Sequence, residues 1–219
     1  TDIFQIGNTA KLRGIPLFFF FSQSLGHVNV DMTQNNIAFL AGAGHKGLHG
    51  SQGTGFLIFD TQYNLLPIRY GGTGTHSESL SQPCVPPEAY ESGTVNSAGI
   101  IGLGASAEWT YQNLAKISLN TRYLTGELLY GLKQIKNVRL YSSQTTGVVS
   151  FNFKDYSSTD IGDYLNEHDI AVRCGLHCAP LIHTQLGTLE RGTVRVSVGY
   201  NNTIKDIHAL LRHIDNLNR

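Results

Sequence analysis

The chain has 219 residues, with 16 basic residues, 16 acidic residues and a formal net charge of zero. That length allows a buried core without disulfide bonds, and the balanced charge does not favour nucleic acid or an anionic membrane surface as partner. We therefore expect a small molecule or another protein as the partner.

The N-terminal part of the chain predicts a helix followed by three short buried strands. Apolar residues spaced through Phe4–Arg13 indicate the helix, and Gly14 and Pro16 are typical of its end. Short apolar runs between polar or glycine-rich turns predict strands at Leu17–Phe21, Ile37–Leu40 and Gly55–Phe59. A helix leading into strands predicts an α/β layer.

The middle of the chain predicts a long loop and then helices. Tyr70–Pro87 shows no periodicity, and we expect it at a surface or an interface. From Ala98 to Tyr123 the apolar spacing becomes helical, and a second helix is expected over Leu124–Gln134. These helices are expected to connect two domains.

The remaining segments alternate between strands and helices, which predicts a compact α+β domain. The expected strands are Val138–Tyr141, Val148–Phe153, Ala171–Cys174 and Thr193–Val198, and the expected helices are Thr159–His168 and Thr203–Asn216. The predicted organisation is therefore residues 1–105, connecting helices over 106–135, and a small domain over 136–219.

Lys46 is the first candidate for chemistry. It lies in a turn of small residues, Gly42–Gly47, directly after a predicted buried strand. An amine that loses its water shell in such a place becomes a nucleophile able to form a Schiff base. A solvated turn lysine shows the same local pattern, so the choice depends on other segments.

A second candidate centre is Arg173–Ala179, in which Cys178 follows His177. Nearby positive charge favours the thiolate, so Cys178 is a candidate nucleophile. A buried structural cysteine is one alternative. The other is a zinc site, which lacks the usual paired C-x-x-C spacing and would use Cys174, His177, Cys178 and His183.

Arg195 lies in the alternating strand Thr193–Val198, on the same face as Thr193 and Ser197. Its guanidinium can bind a carboxylate through two parallel hydrogen bonds. An exposed strand arginine would look the same.

The cysteines and the apolar runs bear on the cellular compartment. The chain has 3 cysteines, an odd and sparse set that does not predict a disulfide framework. The run Ile15–Phe21 is too short to cross a bilayer, and no charged leader with a cleavage site begins the sequence. We expect a cytoplasmic protein.

Taken in order, these segments resemble the class V aminotransferases of the cysteine desulfurase type. Ser22–His27 resembles the strand end where a glutamine, here Gln23, meets the cofactor's phenolic oxygen, and Gly44–Lys46 resembles the lysine motif. The resemblance implies pyridoxal 5'-phosphate on Lys46 as a Schiff base, with His45 beside it. It also implies fold type I of the pyridoxal-phosphate-dependent transferases, as in aspartate aminotransferase: the remainder of the large α/β domain and the small C-terminal α+β domain.

Two further segments carry the resemblance. Glu91–Ser97 is similar to the loop that reaches the neighbouring subunit's cofactor phosphate, so Gly93 and Thr94 imply a homodimer. Asn96 in the same loop is assigned to the substrate. Arg173–Ala179 resembles the sulfur-transfer loop.

The resemblance implies an activity in which Cys178 takes sulfur from L-cysteine as a persulfide and L-alanine is released. A sulfur-acceptor protein is then a partner, and Arg195 holds the substrate carboxylate. Lys46, His45 and Cys178 are catalytic, with His177 or His45 as the proton carrier. The alternatives are another class V reaction, such as an aminotransferase, a lyase or a selenocysteine lyase, or a catalytically inactive homologue.

Several positions depart from the family pattern. Phe20 stands where the family has the aspartate that pairs with the protonated ring nitrogen. Ala43 stands where many members have a serine that donates to the phosphate, and Val95 replaces a proline. The family's preceding half, with its phosphate-binding turn and ring-stacking residue, has no counterpart in this sequence.

Overall fold

A computed structural model describes residues 2–143 and 147–218. Its elements in chain order are α1 (Ile3–Leu12), β1 (Phe18–Phe20), β2 (Phe39–Ala43), β3 (Gly55–Phe59), α2 (Ser97–Gln134), β4 (Val138–Leu140), β5 (Val148–Phe153), α3 (Ser158–Asn166), β6 (Arg173–Gly175), α4 (Pro180–Leu186), β7 (Thr193–Ser197) and α5 (Ile204–Asn216). The chain divides into two compact units: the first unit is Thr1–Leu114 and the second unit is Ala115–Arg219. The division falls within α2, and the predicted domain boundaries stay a prediction.

The sheet of the first unit has three strands in the order β1-β2-β3. β1 runs parallel to β2, and β3 runs antiparallel to it. Phe21, Ile37 and Leu40 form the buried core of this unit. Successive side chains of a strand point to opposite faces, so Phe18 and Phe20 lie on the other face, where Phe20 is 70% exposed. The carboxyl ends of β1 and β2 lie at the same edge.

The structure confirms the first helix and the presence of three strands. The prediction that all three strands are buried is wrong, because β1 exposes Phe18 and Phe20 and β3 exposes Leu57 and Ile58. β1 is one residue shorter at each end than predicted, and β2 begins later, at Phe39.

The prediction that the second strand ends at Leu40 is wrong, because β2 continues through Gly42 to Ala43. Gly42 lies opposite Phe56, and a Cβ atom at Gly42 would come within 2.7 Å of the Phe56 ring. This glycine therefore serves strand packing as well as the approach to the lysine turn.

A single helix, α2, covers both predicted connecting helices, so the predicted break before Leu124 is wrong. Thr125 lies inside this helix with its Oγ1 donating to the carbonyl oxygen of Thr121 at 2.6 Å. Leu124, Leu128 and Leu132 follow at helical spacing and are buried in one core. The helix therefore runs through the predicted break, which the bond from Thr125 to Thr121 spans, and into the core of the second unit.

The second unit has a four-stranded antiparallel sheet in the order β4-β5-β7-β6. Phe151, Phe153 and Val194 of this sheet are fully buried against helix residues. Ser157 begins α3 with a capping box, in which its Oγ accepts from Asp160 N and its own N donates to the Asp160 carboxylate. The predicted α+β arrangement of this segment is confirmed.

Three details of the second unit and of the long loop bear on the site. The predicted strand Ala171–Cys174 begins later, at Arg173, and pairs with β7 through Gly175 opposite Thr193. Helix α4 was not predicted; it has only seven residues, with Pro180 at its start and Gly187 left-handed at its end. Tyr70–Pro87 forms no helix or strand and is mostly exposed, which confirms its prediction as a surface segment.

Candidate active site

Two turns meet at the carboxyl edge of β1 and β2, where parallel α/β sheets commonly bind ligands. Ser22, the second residue after β1, is buried, and its Oγ accepts a hydrogen bond from Ala43 N at 3.1 Å. Gly26 and Gly47 then approach so closely that a Cβ atom at Gly47 would lie 2.0 Å from the Leu25 carbonyl oxygen. The structure thus places the Gln23 segment and the lysine turn side by side.

The turn that carries Lys46 is closed by backbone hydrogen bonds. Gly50 N donates to the Gly44 carbonyl oxygen at 2.8 Å, and His49 N donates to the Lys46 carbonyl oxygen at 2.9 Å. The side chain of Lys46 is half-buried, whereas His45 and Gln23 are exposed. The backbone of Lys46 is therefore held by the hydrogen bonds of its turn, and its side chain keeps part of its surface exposed.

His27 is a residue of this site that sequence reasoning missed. A Cβ atom at Gly47 would lie 3.2 Å from His27 Nε2, so this imidazole packs against the residue after Lys46. Its Nδ1 is buried and has no hydrogen-bond partner within the described part of the chain. Burial and the nearby His49 lower the pKa of His27. Its position four residues after Gln23 was the available signal.

The predicted phosphate loop lies at the start of α2, in the same unit. Gly93 is left-handed, with φ 83°, and its N donates to the Gly72 carbonyl oxygen at 2.8 Å. Gly93, Thr94 and Asn96 are exposed. Asn96 Oδ1 accepts from Gly99 N at 3.0 Å, so Asn96 also satisfies the first turn of α2. The long surface loop and the predicted phosphate loop are thus joined to each other.

In the second unit, Cys178 lies in the loop between β6 and α4. Cys178 is exposed and left-handed, with φ 59°. Cys174, by contrast, faces α3, where a Cβ atom at Gly162 would lie 2.3 Å from its Sγ. Burial, with the Asp163 carboxylate, raises the pKa of the Cys174 thiol, which keeps Cys174 protonated. The two neighbouring cysteines are therefore in different environments.

Arg195 lies in β7, opposite Arg173 of β6 and Ser150 of β5. Its Nε is buried and has no hydrogen-bond partner among residues 2–143 and 147–218. An unpaired buried donor on a guanidinium suits an anionic ligand, because a carboxylate accepts hydrogen bonds from two of its nitrogens. The predicted carboxylate role of Arg195 is compatible with this position.

The zinc alternative receives no support from the placement of its four residues. Across the described residues, no three His, Cys, Asp or Glu side chains are grouped so as to hold a metal ion. His177 and His183 instead bond to threonines, His183 Nδ1 lying 2.8 Å from Thr188 Oγ1.

Among the described helices, none is long and apolar enough to cross a membrane.

The sequence matches the class-V aminotransferase family over residues 1–210. The chain belongs to this family. It is 35% identical over 219 residues to a probable cysteine desulfurase of Methanothermobacter thermautotrophicus, and this match covers 95% of this chain and 54% of that protein. It is 30% identical over 217 residues to a cysteine desulfurase of Salmonella agona, covering 96% of this chain and 53% of that protein.

Solved structures of family members confirm the predicted α/β fold. The cysteine desulfurase CsdA of Escherichia coli matches 98% of this chain and 54% of its own, with a TM-score of 0.86 at 29% identity. A cysteine desulfurase of Thermococcus onnurineus in its apo form matches 99% of this chain and 56% of its own, with a TM-score of 0.83 at 29% identity. The chain spans about half the length of the relatives that it matches.

The family depends on pyridoxal 5'-phosphate, and the residues of the first unit fit that group in part. The Lys46 turn and the Gln23 turn lie side by side, so Lys46 would hold the cofactor through its aldehyde and Gln23 would meet the phenolic oxygen, as the resemblance implies. Phe20 does not fit the ring nitrogen, because an apolar side chain cannot pair with a protonated pyridine. This chain's described residues therefore match the lysine end of the cofactor better than its ring nitrogen.

Proposed function

We propose that this chain carries residues of a pyridoxal-phosphate-dependent cysteine desulfurase. Lys46 binds the cofactor, Arg195 binds the carboxylate of L-cysteine, and Cys178 receives the sulfur. The observation that carries the proposal is the exposed Cys178 in the loop that leaves β6, the strand paired with the strand of Arg195. The names of the relatives support the same reaction.

The residues of this chain account for three parts of the reaction. Arg195 orients the substrate through its carboxylate, and the Cys178 thiolate then attacks the substrate sulfur. The new S–S bond forms as the substrate's C–S bond breaks, and the electron pair of that bond stays on carbon. When bound, the cofactor delocalises this electron pair. Protonation of the carbon gives alanine, with His45, exposed beside Lys46, as the proton donor.

The first test concerns the cofactor. Purified chain is titrated with pyridoxal phosphate, and the absorbance of the lysine-bound form is compared with that of Lys46→Ala. The exposed Lys11→Ala is the matched control, because it removes a lysine away from the turn. A band that depends on Lys46 alone supports the proposal, whereas a band that persists in Lys46→Ala contradicts it.

The second test concerns Cys178. After incubation with pyridoxal phosphate and L-cysteine, intact-mass measurement is expected to show one added sulfur atom, which disappears in Cys178→Ala and persists in Cys84→Ala. Cys84 is a suitable control because it is also exposed. Turnover that is unchanged in Cys178→Ala would show another class V reaction, such as a transamination or a lyase reaction.

The second candidate is that this chain is a catalytically inactive homologue. Phe20 is the observation that favours it. Its side chain is 70% exposed and apolar where a carboxylate is expected. The cofactor titration separates the two candidates. The desulfurase is expected to give the absorbance of the lysine-bound cofactor, and the inactive homologue is expected to give none at saturating pyridoxal phosphate.

We also propose that the chain forms a homodimer through the surface loop next to Gly93 and Thr94. This loop and its flanks expose large apolar side chains at Leu66, Ile68, Tyr70, Leu80 and Val85. Such exposed apolar residues commonly mark protein interfaces. Sedimentation of the unchanged chain is expected to give a dimer and that of Leu80→Asp a monomer; a monomer at all concentrations would contradict the proposal. A sulfur-acceptor protein and a cytoplasmic location belong to the same proposal.

A further inference from the structure

We propose that His177 is the positioning residue of Cys178, fastening the sulfur-transfer loop to β7 so that the thiol is presented from a fixed backbone; the catalytic part of this inference rests on the proposed function.

The imidazole of His177 is bonded across the loop to Thr193. Its Nε2 lies 3.0 Å from the Thr193 carbonyl oxygen and 3.1 Å from Thr193 Oγ1. A carbonyl oxygen can only accept, so Nε2 carries the proton and donates it. Thr193 lies in β7 two residues before Arg195, and the bond therefore ties the residue next to Cys178 to the strand of Arg195.

The backbone conformation of His177 and Cys178 is one that such a bond stabilises. His177 and Cys178 are consecutive non-glycine residues in the left-handed region, with φ 52° and 59°. Residues other than glycine rarely adopt that region, and they stay there only when surrounding contacts hold them. A hydrogen bond from Ala179 N to the Leu176 carbonyl oxygen, at 2.9 Å, closes the turn from the other side. The bond of His177 completes the fastening.

The surroundings of His177 favour holding over proton transfer. Its Nδ1 is buried and has no partner in the part of the chain that the structure describes. Burial lowers the pKa of His177; the bond to Thr193 raises it, and the charges of Arg195, His183 and Arg173 lower it further. These groups come from β7, α4 and β6. A neutral imidazole with Nε2 engaged and Nδ1 closed off is a fixed donor, and the thiol of Cys178 receives no proton from it.

Three substitutions separate the two roles. His177→Phe keeps an aromatic ring and removes the donor. His177→Gln keeps a donor, because its amide nitrogen is as many bonds from Cα as Nε2, but an amide cannot act as an acid or a base. Thr188→Val is the matched control, since it removes the other buried histidine–threonine hydrogen bond of this segment, that of His183, and keeps His177.

Two readouts are measured on the full chain. Hydrogen–deuterium exchange over residues 176–179 is expected to be about tenfold faster in His177→Phe and near the unchanged rate in His177→Gln and Thr188→Val. The kcat for persulfide formation with pyridoxal phosphate and L-cysteine is expected to fall about tenfold in His177→Phe. KM is expected to stay within about twofold, because Arg195 is retained, and His177→Gln is expected to restore kcat.

The outcomes decide between positioning, proton transfer and no role. Unchanged exchange and unchanged kcat in His177→Phe would overturn the proposal, and a kcat that is equally low in His177→Gln and His177→Phe would assign proton transfer instead. If the unchanged chain forms no persulfide, the desulfurase proposal fails separately. The fastening of the loop is then decided by exchange alone: faster exchange in His177→Phe that His177→Gln restores supports it, and no change overturns it.

Discussion

Replacing Gly47 with alanine tests whether the contact between the two turns of the first unit holds Lys46 in place. Gly47 is buried, its φ is not positive, and alanine therefore suits its backbone conformation. The added Cβ atom would lie 2.0 Å from the Leu25 carbonyl oxygen, whereas ordinary Cβ contacts begin near 3.4 Å. The obstacle is backbone, so the lysine turn must move away from the Gln23 segment by more than about 1 Å.

The structure sets the size of the effect. Overpacking of this kind costs about 1–3 kcal/mol, which lowers the melting midpoint by roughly 2–12 °C in a chain of this length. A displacement of about 1 Å at a reactive group costs on the order of a hundredfold in rate and, for a bound group, at least about tenfold in affinity. The melting midpoint and the affinity for pyridoxal phosphate are expected to fall together.

The measurement is a thermal melt combined with a pyridoxal phosphate titration. Gly102→Ala is the matched control, because this glycine lies on the exposed side of α2 with no atom within 4 Å of an added Cβ. There alanine is expected to stabilise the helix by about 1 kcal/mol and to leave cofactor affinity unchanged. Wild-type affinity and melting midpoint in Gly47→Ala would refute the role of this contact.

Three other predictions follow from the same structure. Phe20→Asp supplies a partner for a protonated ring nitrogen at an exposed position and is expected to tighten pyridoxal phosphate binding about tenfold by titration; equal or weaker binding contradicts this. Leu128→Ala is expected to destabilise the fully buried core of the second unit by about 2–5 kcal/mol in urea unfolding, against less than about 0.5 kcal/mol for the exposed Leu119→Ala. The lowered pKa of His27 means that folding favours its neutral form, so its contribution to stability is full above about pH 6.5 and is lost as pH falls through the lower folded-state pKa. Melts across this range are expected to lose that slope in His27→Gln.

The sequence was most informative where the evidence is local. The strand Gly55–Phe59 follows from its apolar run, and the helix up to Leu12 follows from apolar spacing and from Gly14 and Pro16 after it. Lys46 became a candidate because it follows a strand in a turn of small residues, and Cys178 because it lies beside His177 and near Arg173; their roles come from the family resemblance and stay predictions. Composition and spacing predict such local elements without knowledge of distant contacts.

Tertiary structure alone decided the features that depend on residues distant in the chain. The contact of Gly26 with Gly47 and the burial of His27 under the lysine turn join segments about twenty residues apart, and the bond of His177 to Thr193 spans 16 residues. The continuity of α2 likewise depends on the core into which Leu124 and Leu128 pack. Periodicity reports which face of an element is apolar, but which backbone lies against that face is set by packing, and packing determines where Lys46 and Cys178 are held.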